Sequence, residues 1–295
     1  MSLLPASRMR ALAWSGMVAV LSGCSAGVLD PAGPVAAGER TILLNSLVIM
    51  LGIVVPTILV TLLFAWWFRA GNAKAKHLPE WSYSGRLELL VWSVPALVVI
   101  FLAGITWIGS HQLAPERPLD SKVPPINVQV VALDWKWLFI YPDQGVATVN
   151  RLVIPVGTPV NFRITSGTVM NSFFIPQLGS QIYAMAGMDS KLHLQADRPG
   201  QFLGLSAHYS GEGFGDMGFT VDAVSPAQFA GWVNGTRGAG GPMLDGPGFM
   251  KLARAKGNVK PYAYRAVYPG LYDRVVAQSG VPAHEQTQAH GREDD

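Results

Sequence analysis

The chain has 295 residues, 49% of them hydrophobic and 14% charged, with a mean hydropathy of +0.27. That is too apolar for an ordinary water-soluble domain of this length and places the chain among membrane proteins that carry a polar part. A formal charge of +3 implies no polyanion partner, and a single cysteine excludes a disulfide framework.

The first element in chain order is a targeting segment. Arg8 and Arg10 precede the apolar stretch Ala11 to Leu21, and Leu21-Ser22-Gly23-Cys24 follows with small residues before the cysteine. A basic start, a short apolar middle of roughly ten residues and small residues at the cut make a signal peptide over residues 1–23. The ending resembles the bacterial lipobox, which implies acylation of Cys24 and a lipidated segment over residues 24–40. Without residues 1–23 the formal charge falls to +1, because Arg8 and Arg10 are lost and no acid is.

Residues 41–68 carry no charge and residues 87–109 carry only Glu88. Each exceeds the roughly twenty residues that a membrane-spanning helix needs. Pro56 and Pro95 fall inside them, which neighbouring helices in a membrane tolerate. Trp66, Trp67, Trp92 and Trp107 suit interfacial belts or packing on a partner. The connecting loop, residues 69–86, holds Arg69, Lys74, Lys76 and Arg86 against Glu80 alone. The positive-inside rule therefore sets this loop in the cytoplasm and both ends of the chain outside, in agreement with the export signal.

A linker over residues 110–124 leads into a β-rich domain over residues 125–223. Short runs such as Val128 to Leu133, Leu138 to Tyr141, Leu152 to Ile154, Val160 to Thr165, Lys191 to Gln195 and Gly218 to Val221 partly alternate apolar with polar. Turns at residues 155–159 and 197–200 separate some of them. Such spacing predicts an all-β sandwich or barrel. Residues 224–278 read as a helical arm: Ser225 caps a helix with Pro226 at its first position, a glycine-rich loop covers residues 235–248, and short helices follow at 248–255 and 271–278. Residues 279–295 are polar enough for a disordered tail.

Three further motifs carry a resemblance: Asp134-Trp135-Lys136-Trp137, Met170-Asn171-Ser172-Phe173-Phe174-Ile175-Pro176 and Ser206-Ala207-His208-Tyr209-Ser210-Gly211. Together with the lipobox and the two helices, they look like subunit 2 of the haem-copper oxidases, and most closely like its proteobacterial bo-type, quinol-oxidising branch. The resemblance runs from Leu21 to about Leu271. It implies a cupredoxin-like periplasmic domain above a two-helix transmembrane hairpin in the bacterial inner membrane.

In copper-bearing relatives such a domain holds a dinuclear centre built from two thiolates, two imidazoles, a methionine sulfur and a carbonyl, the soft set that copper favours. Aligned at Met217, the motif puts Asn171 at the first histidine, Ser206 and Ser210 at the two cysteines and Phe214 at the second histidine. His208 falls at the carbonyl-donating position. Only Met217 retains a ligand-type side chain, so the resemblance implies no metal and no cofactor in this chain. A different site on His193 and His208 has little to support it.

The resemblance further implies a ubiquinol oxidase complex, with haems and one copper in a partner subunit 1, further small membrane subunits, and ubiquinol as substrate. This chain would be its non-redox subunit. Trp135 and Trp137 would be packing or interface aromatics, and Glu88, seven residues before Pro95, would mark the entry of a proton path. Two other readings stand beside this one. The first is a membrane-tethered binding lipoprotein, and the second a copper-bearing cytochrome c oxidase subunit 2, which the four replaced ligand positions oppose.

Overall fold

The structure, a computed structural model, describes residues 27–76, 78–257 and 259–279. Cys24, the signal segment and residues 280–295 lie outside the described residues. The chain divides into two compact units, one made of Gly38–Ala114 and the other of the segment ending at Ala37 together with Pro115 onward.

The first unit is a pair of helices, α1 (Pro34–Trp67) and α2 (Gly85–Gln112). The central windows of both are strongly apolar, and none of either window is buried by the rest of the chain. Neither can therefore be the core helix of a soluble fold. At 34 residues α1 is about 50 Å long, well beyond the roughly 30 Å of bilayer hydrocarbon. It begins seven residues before the apolar stretch does, because Pro34 suits a first helical turn and the polar residues Glu39 and Arg40 continue it. The helices approach through small residues: a Cβ on Gly109 would lie 2.4 Å from Ile42, and one on Gly38 would lie 2.9 Å from Leu113. Such glycines let membrane helices pack closely. Pro56 interrupts the backbone ladder of α1, and the Thr57 and Thr61 hydroxyls donate to the Ile53 and Thr57 carbonyls at 2.8 and 2.7 Å.

The second unit is a β-sandwich. Its strands are β1 (Ile126–Leu133), β2 (Lys136–Tyr141), β3 (Val146–Val149), β4 (Arg151–Pro155), β5 (Val160–Ser166), β6 (Asn171–Phe174), β7 (Ile182–Ala184), β8 (Ser190–Leu194), β9 (Gly200–Ser206) and β10 (Gly218–Val224). One sheet runs β3-β2-β1-β5-β8 and the other β4-β10-β9-β6-β7. The core between them gathers Val128, Val130, Trp137, Phe139, Phe162, Phe173, Met217 and Phe219. Four strands, β3, β6, β7 and β9, were not expected from the sequence; three of these have only three or four residues, too few to show alternation.

The segment after Val224 carries the three helices expected of it and adds three short strands. It contains α3 (Pro226–Gly238), β11 (Met243–Leu244), α4 (Gly246–Arg254), β12 (Tyr262–Tyr264), β13 (Ala266–Val267) and α5 (Leu271–Ser279). Met243 and Leu244, placed by the sequence reading in a glycine-rich loop, pair in parallel with Ala266 and Val267. Ser279, assigned to the tail, ends α5. Strand β12 pairs antiparallel with β3 and makes the first sheet six-stranded. Leu244, Phe249, Leu252, Tyr264, Leu271, Tyr272 and Val275 then cover its outer face, packing on Val131, Leu133, Leu138, Ile140, Ala147 and Val149. This explains why β2 is buried at all six positions: a strand covered on both faces reads as a continuous run rather than an alternation.

The segment before α1 is tied to the sandwich. The Ala32 amide donates to the Gln177 carbonyl and its carbonyl accepts from the Asp197 amide, both at 2.7 Å. Asp30 pairs with Arg198 at 2.5 Å.

Candidate functional site

One end of the sandwich brings together most of the positions that the sequence singled out. Strand β6 starts at Asn171 and β9 ends at Ser206, and the two strands are hydrogen-bonded neighbours, with Phe173 opposite Ser206. The Ser206 hydroxyl lies 3.2 Å from both Asn171 Oδ1 and the His208 carbonyl. Asn171 Nδ2 donates to the Val169 carbonyl at 3.0 Å, and the Asn171 and Ser206 side chains are buried. After Ser206 the chain loops through Ser210, turns at Phe214–Asp216 and reaches Met217. The Ser210 hydroxyl lies 3.9 Å from Met217 Sδ. Phe214 is half-buried, and its ring meets Tyr209 edge-on at 5.6 Å.

The two tryptophans frame this loop. A two-residue turn, Asp134-Trp135, joins β1 to β2, with Leu133 paired to Lys136. Trp135 takes a φ of 62°, a left-handed conformation that a bulky residue rarely adopts. Its indole holds it there by donating to the Ser210 carbonyl at 3.3 Å and packing on Gly213, where a Cβ would come within 2.4 Å of the ring. Trp137 is fully buried, donates to the Met217 carbonyl at 3.3 Å, and packs edge-on against Phe173 and Phe219.

This donor set does not fit a dinuclear copper centre. Copper of that kind needs bridging thiolates and imidazoles, whereas Ser206 and Ser210 offer hard hydroxyl oxygens, Asn171 a neutral amide and Phe214 no donor atom. The polar groups are instead engaged with one another, with backbone carbonyls and with the Met217 thioether. Among the described residues, no three His, Cys, Asp or Glu side chains form a metal-sized cluster. His193 lies on β8 in the first sheet, its Nδ1 2.7 Å from Asn161 Oδ1, while His208 follows β9 of the second and meets Tyr183 edge-on.

Glu88 lies elsewhere, exposed in the first turn of α2, its amide donating to the Ser84 carbonyl at 3.0 Å. The sequence reading passed over Lys136. Its side chain is fully buried, and its ammonium donates to the Asp134 carbonyl at 2.9 Å and to the Ala255 carbonyl. Burial pushes its pKa down, and the nearby Asp134 charge partly opposes this. Asn150 was missed too: it takes a φ of 54°, and its side chain accepts from the Trp137 amide and donates to the Val259 carbonyl, both at 2.8 Å. The only sequence signal for Lys136 was a charge in an otherwise apolar run.

The chain has relatives among known proteins. Residues 143–224 match the family described as cytochrome c oxidase subunit II, periplasmic domain. The ubiquinol oxidase subunit 2 of Acetobacter aceti is 51% identical over 261 residues, covering 88% of this chain and 84% of that protein. The cytochrome bo(3) ubiquinol oxidase subunit 2 of Pseudomonas aeruginosa is 46% identical over 283 residues, 95% and 85% of the two chains. The quinol oxidase subunit 2 of Bacillus subtilis is 42% identical over 231 residues, 77% and 71% of the two. With such identity along almost its whole length, the chain belongs to the ubiquinol oxidase subunit 2 family.

Proposed function

We propose that this chain is the non-redox subunit of a ubiquinol oxidase in the inner membrane, a proton-pumping oxidoreductase that passes electrons from ubiquinol to oxygen. The observation that carries this reading is the donor set at Asn171, Ser206, Ser210 and Phe214, which leaves Met217 as the lone soft ligand. A soluble haem protein delivers electrons one at a time at the membrane surface and needs a metal acceptor there. A quinol dissolves in the bilayer and reaches a haem of the partner subunit directly, so the outer domain is released from carrying electrons. The haems and the copper of the reaction then reside in partner subunit 1. The hairpin α1–α2 clamps that subunit within the bilayer and the sandwich covers its periplasmic face, with further small membrane subunits completing the complex.

Three finer assignments belong to this reading. The cationic loop after α1 faces the cytoplasm, which puts the sandwich and both ends of the mature chain in the periplasm. Cys24 carries the lipid anchor. Glu88, at the cytoplasmic start of α2, collects protons for a path into the partner subunit, as an ionisable group at a membrane edge can. Oxygen uptake by the complex purified in mild detergent tests the function. Ubiquinol should sustain turnover and reduced cytochrome c should not; turnover with cytochrome c at the quinol rate would overturn the reading.

A further inference from the structure

Where α1 passes into α2, the connecting loop folds beside the helix ends and leaves a cavity of about 740 Å³. Its apolar wall includes Phe64, Phe68, Trp81 and Leu87, and among the described residues the charged groups that line it are Arg69 and Lys76. Neither Glu80 nor Glu88, the two acids of this region, lines it. The loop is held in place from within: Asn72 Nδ2 donates to the Trp67 carbonyl at 2.6 Å, its Oδ1 accepts from the Lys74 amide at 3.2 Å, and its amide donates to the Arg69 carbonyl at 3.0 Å. The Arg69 guanidinium lies 5.3 Å from the centre of the Trp66 ring.

The chemistry of the lining selects the occupant. A small free anion has no use for four large apolar side chains, and an apolar ligand has none for two cations. An amphiphile with an anionic head uses both, and the cavity volume lies within the range of small-molecule sites, roughly 300–1,000 Å³. The position agrees, since the cavity sits at the loop end of both apolar helices beside the cationic loop, the end that the proposed orientation sets at the cytoplasmic headgroups. Basic pockets between helices on the cytoplasmic side bind such headgroups.

We infer that this cavity binds an anionic phospholipid of the inner leaflet, its phosphate between Arg69 and Lys76 and its acyl chains along Phe64, Phe68 and Leu87. The inference rests on the hairpin crossing the membrane with this loop inside, and not on the electron donor of the complex.

Native mass spectrometry of the intact complex, released from nanodiscs of equal parts phosphatidylglycerol and phosphatidylethanolamine, tests it. The wild type should retain phosphatidylglycerol that Arg69→Gln/Lys76→Gln loses, with affinity down about 30-fold if each cation contributes the usual amount near a membrane surface. Lys74→Gln/Arg86→Gln removes the same charge away from the cavity and should retain the lipid. Ala75→Trp, on the cavity wall, should expel it with both cations present. Equal retention by the wild type and Arg69→Gln/Lys76→Gln would overturn the inference, as would equal loss from both charge pairs or equal retention of phosphatidylethanolamine. If Arg69→Gln/Lys76→Gln fails to assemble, Ala75→Trp decides: loss of phosphatidylglycerol supports the site and unchanged retention rejects it.

Discussion

Glu88 and His193 show how the surroundings of a residue decide what its charge can do. Glu88 stands exposed at the first turn of α2, where the helix dipole favours a carboxylate, and the proposed orientation turns it to the cytoplasm. Glu88→Ala should slow quinol-dependent oxygen reduction several-fold with haem content unchanged, and Glu88→Asp should be milder because the ionisable group survives. Wild-type turnover of Glu88→Ala across a range of pH would reduce the residue to a helix-end charge. His193 is different, because burial, and then the nearby Lys191 charge, push its pKa below the usual imidazole range. The fold thus favours the neutral ring. Its contribution to stability is complete above the unfolded value of about 6.5 and is lost as pH falls through the lower folded-state value. Thermal unfolding of the purified chain should therefore show a decline on acidification that is shallower in His193→Gln; identical pH profiles would refute this.

At the scale of elements, the C-terminal segment is the outer layer of the first sheet rather than an appendage, and Lys136 is one of its fastenings. The Ala255 carbonyl follows the last turn of α4, where a helix leaves acceptors unpaired and a cation is favourable. Lys136→Met keeps most of the side-chain volume but leaves that carbonyl without its donor, at a cost of about 1–3 kcal/mol. Amide exchange should quicken most in α4, and uniform or unchanged exchange would contradict the assignment. A second fastening joins α5 to β5 through Arg163, which lies 2.8 Å from Asp189 and 3.0 Å from Asp273, while the Tyr272 hydroxyl donates to Asp189 at 2.8 Å. Little of this was legible in the sequence. The helices and most of the longer strands announce themselves through hydrophobic runs, though the seven-residue β9 does not, and β12 is three residues whose meaning depends on β3, more than a hundred positions earlier. The candidate site was more legible than the layer, because its residues come in motifs. Their convergence at the joined ends of β6 and β9 and the grip of Trp135 on Gly213 needed the fold.

At the scale of the whole molecule, a helix pair and a β-sandwich share one chain, and the proposed function adds a lipid anchor and routes electrons past the sandwich. Six residues after Cys24, Asp30 and then Ala32 are tied to the sandwich. An acyl group there would hold the outer domain near the membrane surface. Intact mass should show a mature chain starting at Cys24 with lipid attached, and Cys24→Ser should leave an unprocessed precursor still held by its helices; an unlipidated mature end elsewhere would reject the anchor. Whether electrons bypass this subunit is tested most directly by the copper-to-haem ratio of the purified complex, read together with its paramagnetic resonance spectrum. The haem-copper subunit alone should explain the ratio, and no dinuclear copper signal should appear. Two additional copper atoms per complex, carrying that signal, would contradict the bypass.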